Sequence, residues 1–573
     1  MIADQSRRVG RWRRHLVLGL LVLGALGAAG RAVYLQVLNR DFLQAEGDDR
    51  YLRTVTVTAH RGTLLDRNGE PLAVSTPVES VWADPTTLQL GAQDLAELAH
   101  ALSVPRETLS QRLAAADSER RFIFLRRHLS PPEARRVAAL KLPGVHLRRE
   151  YRRYYPTGEV SAQLLGYTDL DDVGLEGLEL AYQGWLRGRP GSKRVLQDLY
   201  GRTVKDVASV AIPEPGRDLS LSVDRRVQYL AYRALKAAVL RNQAAAGMVV
   251  VLDPRSGEIL ALVNQPAGNP NDRSARRAEL QRNRAVSDLF EPGSTLKPFT
   301  VAAALEAKLA TPTSPVDTSP GRLRVRRHTV RDLRDFGLLD VAGVLRKSSN
   351  VGIAKLALQL PKGGLGELYG KLGFGQRSGL GLPGEQDGVL EPTSGWDELE
   401  LATRAFGYGL AVTAVQLAQA YGVLATDGLR VMPTVLRQGP PVSAERVLSE
   451  ATAVAVRRML EAVVSDQGTA PRGRIAGYRV AGKTGTVRKR AAEGGYDDDR
   501  FLSLFAGIVP ASAPRLVVVV VLDDPRGEDY YGGQVAAPVF AAVAAGALRL
   551  LDVPPDDPRE GQLVLRQGAG SDG

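Results

Sequence analysis

Glu291-Pro292-Gly293-Ser294-Thr295-Leu296-Lys297 begins a stretch that reads as helix through Thr300 to Leu309, with proline and glycine turning the chain just before it. This reading puts Ser294 at a helix start. Residues at i and i+3 share a helix face, so Lys297 is predicted to reach the Ser294 hydroxyl, and a helix N-terminus favours negative charge developing there. A serine hydroxyl is a poor nucleophile until a base takes its proton. Lys297 can be that base only where burial or a neighbouring cation leaves it neutral part of the time.

Alone, serine-x-x-lysine is a weak signal, because two fixed positions in four arise often by chance. A second signal lies further along, in Arg346-Lys347-Ser348-Ser349-Asn350, between two apolar helical runs. Ser348 and Asn350 could line a cleft, although serine and asparagine at a helix start are equally a capping cluster. The third is Arg479-Val480-Ala481-Gly482-Lys483-Thr484-Gly485-Thr486-Val487, a β-type run in which Gly485 lets a ligand approach the backbone. By itself it is an ordinary edge strand carrying one lysine. The three together, in this order, are the set shared by class A β-lactamases and penicillin-binding proteins.

Outward from these motifs the texture is mixed α and β. A strand is predicted at Leu219 to Val223, a helix from Arg226 to about Arg241, and a hairpin of Gly247 to Leu252 with Ile259 to Val263 around the turn Asp253 to Gly257. The valine run Val517 to Val521 reads as a buried strand. Upstream, from about Asn39 to Pro215, short β-type runs such as Tyr51 to Thr58 alternate with turns such as Asp66-Arg67-Asn68-Gly69. Helical spacing recurs at Leu95 to Leu102 and Pro131 to Leu142, but nothing there assembles a nucleophile with a base. This segment reads as a spacer or docking module.

At 573 residues the chain exceeds one hydrophobic core, so at least two folded domains are expected. The net charge of +12 would suit nucleic acid, anionic lipid or an acidic polymer. The arginines are scattered and no zinc-finger or RNA-binding signature appears, which argues against nucleic acid. The chain has no cysteine, so disulfides, thiolate metal sites and cysteine nucleophiles are excluded. No cofactor fingerprint is present, and none is expected.

Arg7, Arg8, Arg11, Arg13 and Arg14 precede an apolar run from Leu16 to Leu35, interrupted only by Arg31, which can snorkel outward. Its length suits a single membrane span with a cytoplasmic N-terminus. The competing reading is a cleavable signal peptide, since Gly27, Ala28 and Ala29 are small enough for a cleavage site. No second run of spanning length is read downstream. From Asp556 the chain reads as a loose tail.

Outside the catalytic motifs, Ala59-His60-Arg61-Gly62-Thr63-Leu64-Leu65-Asp66-Arg67-Asn68-Gly69, Arg153-Tyr154-Tyr155-Pro156, Gly174-Leu175-Glu176-Gly177-Leu178-Glu179 and Gly407-Tyr408-Gly409 complete a pattern over almost the whole chain. On these residues the chain resembles the class B penicillin-binding proteins, in particular the division-specific peptidoglycan D,D-transpeptidases of Gram-negative bacteria. The resemblance implies an α/β (α+β) fold: a transpeptidase domain like that of serine β-lactamases, preceded by an extended α+β pedestal and one N-terminal transmembrane helix. The boundaries expected are 1–15 for a cytoplasmic start, 16–36 for the anchor, 37–215 for the periplasmic pedestal, 216–555 for the transpeptidase domain and 556–573 for the tail.

The resemblance also assigns roles. Ser294 would form an acyl-enzyme with a stem peptide or a β-lactam, Lys297 would accept its proton, Ser348 would relay a proton to the departing amine, and Asn350 would hold lysine and peptide. Lys483 would add positive charge for the substrate's terminal carboxylate, Thr484 and Thr486 would bind it, and Gly485 would keep the strand open. The backbone N–H groups of Ser294 and Thr486 would form the oxyanion hole. Partners implied are a membrane glycan polymerase and division proteins at the bacterial inner membrane. Two residues depart from the family's usual pattern: Ser349, where β-lactamases often carry aspartate, and Thr484, where division enzymes often carry serine. Elongation-type transpeptidases and β-lactamases or β-lactam sensors share the nucleophile; a β-lactamase would need a water-activating carboxylate, for which Glu391 and Glu400 are candidates.

Overall fold

The computed structural model describes residues 11–43, 52–115, 122–197, 203–274, 277–392, 395–439, 443–491 and 494–557. Arg7 and Arg8 and the tail beyond residue 557 lie outside them. Chain contacts divide the protein into two compact units, one made of residues 1–60, 77–151 and 188–215, the other of 61–76, 152–187 and 216–573.

In the first unit, helix α1 (Arg11–Val33) leads into a π-helical turn, Tyr34–Leu38. The apolar stretch Trp12–Leu38 has a mean hydropathy of 2.0 and no part of it is covered by protein, so by length and composition it can cross a membrane. A three-stranded antiparallel sheet follows, in the order Leu52–Val57, Gly191–Gln197, Thr203–Ala211. A separate core gathers Leu98 and Leu102 of the helix Ala92–Leu102, Leu109, Leu125 and Leu129 of the strand Ile123–Leu129, and Val137 of the helix Pro131–Ala139.

The second unit is built on five antiparallel strands: β1 (Ala246–Leu252), β2 (Ile259–Gln265), β3 (Ala481–Arg490), β4 (Tyr496–Val509) and β5 (Leu516–Asp523), in the spatial order β2-β1-β5-β4-β3. The valine run forms most of β5, and every residue from Leu516 to Leu522 is buried, so the sheet is covered on both faces. Each such valine contributes about 1.5–3 kcal/mol relative to exposure. The helices of this unit that matter below are α2 (Arg225–Arg241), α3 (Lys297–Glu306), α4 (Val341–Lys347), α5 (Asn350–Ala357), α6 (Ala414–Ala425) and α7 (Ala537–Leu550).

Gly247 on β1 approaches Leu235 and Val239 of α2, while Leu252 approaches Gly422 of α6. Five positions separate the two strand residues, and side chains alternate along a strand, so α2 and α6 cover opposite faces. Phe540 of α7 approaches Gly507 of β4. The stretch Gly532–Leu550 is also long and apolar enough to cross a membrane, contrary to the sequence reading that no second such run follows. About half of it is buried, at 56%, and Ala537, Val539, Val543, Ala544 and Ala547 lie on the packing face of α7.

The quoted upstream motifs meet at one buried carboxylate in this unit. Glu179, fully buried, accepts hydrogen bonds from Arg61 Nε at 2.7 Å and Arg153 Nε at 2.6 Å. Arg61 also donates to the carbonyls of Asp172 and Glu179, and Arg153 to that of Gly62. Gly177 takes a positive φ of 57° and its backbone packs against Leu164, Leu165 and Gly166, leaving no room for a side chain.

Candidate active site

Pro292 and Gly293 do what the sequence reading asks of them, with one refinement. Ser294 lies in a 3-10 turn, Gly293–Leu296, and the α-helix proper begins at Lys297. The turn is held from three sides. Gly293 N donates to Gly407 O at 2.9 Å, Thr295 Oγ1 donates to Pro292 O at 2.7 Å, and Tyr421 of α6 donates its hydroxyl to Thr295 O at 2.8 Å. Gly407 has a φ of 89°, and a Cβ there would lie 2.1 Å from Gly293 O, so the Gly407-Tyr408-Gly409 turn has to be glycine at that position.

Lys297 is fully buried, and its ammonium donates to Asn350 Oδ1 at 2.7 Å, Ser348 O at 2.5 Å and Ser348 Oγ at 3.2 Å. Ser348 sits between α4 and α5 in the left-handed region, φ 58°, which turns its hydroxyl and its carbonyl toward the same lysine. Ser349 caps α5, accepting from Gly352 N at 2.9 Å, so the capping reading holds for Ser349, while Ser348 and Asn350 meet Lys297.

Lys483 reaches the same hydroxyl from β3: its Nζ donates to Ser348 Oγ at 2.9 Å. Burial pushes the Lys483 pKa down to about 7. Burial first, and the Lys483 charge second, hold Lys297 well below the ordinary lysine range, while the Asp332 carboxylate opposes that shift.

The strand β3 is the sheet's outer strand, as read from the sequence, and runs beside the serine turn. A Cβ on Gly485 would lie 3.1 Å from Thr295 Cγ2 and 3.2 Å from Pro292 O. Thr484 Oγ1 shares a hydrogen bond with Thr469 Oγ1 at 2.8 Å, and Thr486 Oγ1 accepts from Gly532 N at 3.0 Å. Ser294 and Lys297, Ser348 and Asn350, and Lys483, from three distant segments of the chain, are thus gathered with the Thr484 to Thr486 strand. Among the described residues the Ser294 hydroxyl makes no hydrogen bond; Lys297 turns toward Ser348 and Asn350 instead. Hydrogen bonds of this kind commonly tighten only when substrate binds.

Asp332 was not singled out in the sequence. Its carboxylate accepts from Ser349 Oγ at 2.5 Å, from Asn350 N, and from Val351 N at 3.0 Å, so it fastens the N-terminus of α5 and with it Asn350. The preference of helix N-termini for carboxylates explains the contact, but only the fold brings residue 332 there. Tyr421, which braces the serine turn, was likewise not singled out in the sequence. Glu391 and Glu400 both pair with Arg404, and among the described residues neither bonds to Lys297, Lys483 or Ser294.

Two family profiles match this chain: "Penicillin binding protein transpeptidase domain" over residues 247–545 and "Penicillin-binding Protein dimerisation domain" over residues 56–221. The chain is 42% identical over 570 residues to the peptidoglycan D,D-transpeptidase FtsI of Escherichia coli K12, covering 98% of this chain and 96% of that one. Its fold matches the transpeptidase domain of a Burkholderia pseudomallei penicillin-binding protein 3 at 41% identity and a TM-score of 0.55, covering 59% of this chain and 97% of that one. A peptidoglycan synthetase from Bifidobacterium adolescentis matches with a TM-score of 0.69 at 27% identity, covering 89% of this chain and 98% of that one. With two domain profiles in sequence, near-complete alignment to a relative and the three motifs converging in space, the chain belongs to the class B penicillin-binding proteins, which join a dimerisation domain to a transpeptidase domain.

Proposed function

We propose that the protein is a serine-type peptidoglycan D,D-transpeptidase that cross-links stem peptides at the division septum and is acylated by β-lactams. The observation that carries this reading is the Ser348 hydroxyl, bonded by Lys297 at 3.2 Å and Lys483 at 2.9 Å beside the Ser294 turn. In the first half-reaction, Lys297 in its neutral form takes the Ser294 proton as Oγ attacks the carbonyl carbon of the penultimate D-alanine. The bond to the terminal D-alanine nitrogen breaks, and the proton passes through Ser348 to that nitrogen. In the second, an amine of another stem peptide attacks the ester, and the serine recovers its proton. Splitting the transfer lowers each barrier.

Lys483, Thr484 and Thr486 suit the substrate's terminal carboxylate, to which charged and hydroxyl donors bind strongly. The backbone N–H groups of Ser294 and Thr486 are the proposed oxyanion donors, an arrangement worth about 3 kcal/mol in the transition state. Asn350 positions Lys297. We place α1 in the bacterial inner membrane with its N-terminus cytoplasmic, residues 37–215 as pedestal and 216–555 as the periplasmic catalytic domain. A membrane glycan polymerase and other division proteins are the partners this placement calls for. The 42% identity to an FtsI transpeptidase supports the division role over an elongation role.

The test is incubation of the membrane-anchored protein with a fluorescent penicillin, alongside Ser294→Ala, with the adduct located by peptide mass spectrometry. A long-lived adduct on Ser294, absent from the variant, is expected. Rapid release of hydrolysed drug would make the protein a β-lactamase, and a folded protein that takes no label would overturn the Ser294 mechanism.

A further inference from the structure

On the second unit, away from the serine turn, the exposed side of α2 and the end of α7 border an open cavity of about 740 Å³. Arg226, Tyr229 and Arg233 follow one another along α2 at positions i, i+3 and i+7, which places them in one stripe. Tyr229 is 54% exposed, although it is a large aromatic side chain. Leu230 lies in the seam with α7, where Gly546 leaves it space: a Cβ at 546 would lie 2.3 Å from Leu230 Cδ2. The floor is therefore apolar and its rim cationic.

The rim carries four arginines, Arg225, Arg226, Arg233 and Arg549, and among the described residues no carboxylate lines the cavity. Two are partly engaged, Arg225 with Glu70 at 3.3 Å and Arg226 with Asp224 at 2.7 Å. Among the described residues Arg233 and Arg549 have no ion pair. The mechanism uses none of them, and an apolar floor with two unpaired and two partly engaged arginines on its rim is poorly explained by packing alone.

We propose that this face docks an acidic amphipathic segment of a partner protein, its apolar side chains on Tyr229 and Leu230 and its carboxylates on the arginines at either end. The spacing selects a peptide over a lipid headgroup. Seven helical positions separate Arg226 from Arg233, about 10 Å along the axis. One phosphate cannot neutralise both poles, whereas a helix with acidic residues seven apart, or an extended segment with acids three apart, matches them.

The full-length protein in detergent micelles is used to select from a displayed library of random peptides, about 15 residues long so that two full helical spacings fit, with the charge-reversed double variant Arg233→Glu, Arg549→Glu as counter-selection. The expected result is enrichment of peptides with paired acidic residues flanking apolar ones, binding the variant at least about tenfold more weakly and losing affinity as salt is raised. Labelling of Ser294 by fluorescent penicillin is unchanged in the variant, which reports that it is folded. Peptides that bind the variant equally well, or an absence of enrichment, would overturn the proposal. Arginine-dependent binding of short-chain phosphatidylglycerol in the same micelles without peptide enrichment would also overturn it, and would assign the face to lipid.

Discussion

Lys483 Nζ lies 2.9 Å from Ser348 Oγ, the hydroxyl that Lys297 Nζ also approaches at 3.2 Å. Two fully buried lysines therefore bracket one small hydroxyl. Both charges are disfavoured by burial, and that of Lys297 also by its neighbour. The proposed activation of Ser294 needs a neutral lysine, and burial, with the Lys483 charge beside Lys297, favours that form.

Acylation by a fluorescent penicillin should accelerate as pH rises and Lys297 loses its proton. Removing the positive neighbour in Lys483→Met raises the Lys297 pKa, so the rising limb should move to higher pH as well as fall in height. Second-order rates measured between about pH 6 and pH 9 test this. A limb that stayed in place would show that Lys483 does not set the lysine's charge.

Lys483 also makes stability depend on pH. Its pKa is about 7 in the folded protein and about 10.4 when unfolded, so in this window the unfolded chain binds more protons than the native one. Native stability then increases as pH rises from about 7 to about 10. In thermal unfolding, the difference between Lys483→Met and the native protein should shift in the native protein's favour across that range.

Asp332→Asn separates positioning from charge. The aspartate raises the Lys297 pKa, so its loss should move the acylation profile to lower pH. Weakening its hold on Ser349 and Asn350 should at the same time lower the maximal rate, by about 10- to 100-fold, as misplacement of a catalytic group does. A faster variant at neutral pH would mean that Asp332 acts on Lys297 through charge alone.

At Gly407 the prediction is steric. Gly407→Ala adds a methyl group 2.1 Å from Gly293 O in a backbone conformation that L residues rarely adopt. The serine turn must move, so penicillin labelling should be largely lost even where near-native circular dichroism persists. Normal labelling would show that the turn tolerates displacement.

Glu179→Gln removes the charge that pairs two buried arginines, Arg61 at 2.7 Å and Arg153 at 2.6 Å. Leaving a buried pair without its partner costs about 3–5 kcal/mol. Denaturant unfolding should show a loss of this order in the second unit, while the intrinsic labelling rate of the folded fraction stays close to that of the native protein.

Much of this protein was legible in its residues. Alternation and apolar runs located β1, β2 and β5, and the Pro-Gly turn before Ser294 located the start of α3 to within one helical turn. The motif of β3 read as a strand edging a pocket or an ordinary edge strand, and β3 is the outer strand of the sheet. The sequence also held Ser294, the two lysines and the serine triplet in the order shared by class A β-lactamases and penicillin-binding proteins.

Distances between those motifs were another matter. That Ser348 stands between two lysines, that Asp332 ties down Asn350, and that Tyr421 braces the serine turn follow from contacts between segments far apart in the chain. Composition would also let Gly532–Leu550 cross a membrane, which the sequence reading passed over, and its packing against the sheet makes it a core helix. The physical reason is that periodicity records which side of an element is buried, within one or two turns. Burial itself, and the low dielectric that lowers the Lys297 and Lys483 pKa values and so makes a lysine into a base, exists only once the whole domain has closed around them.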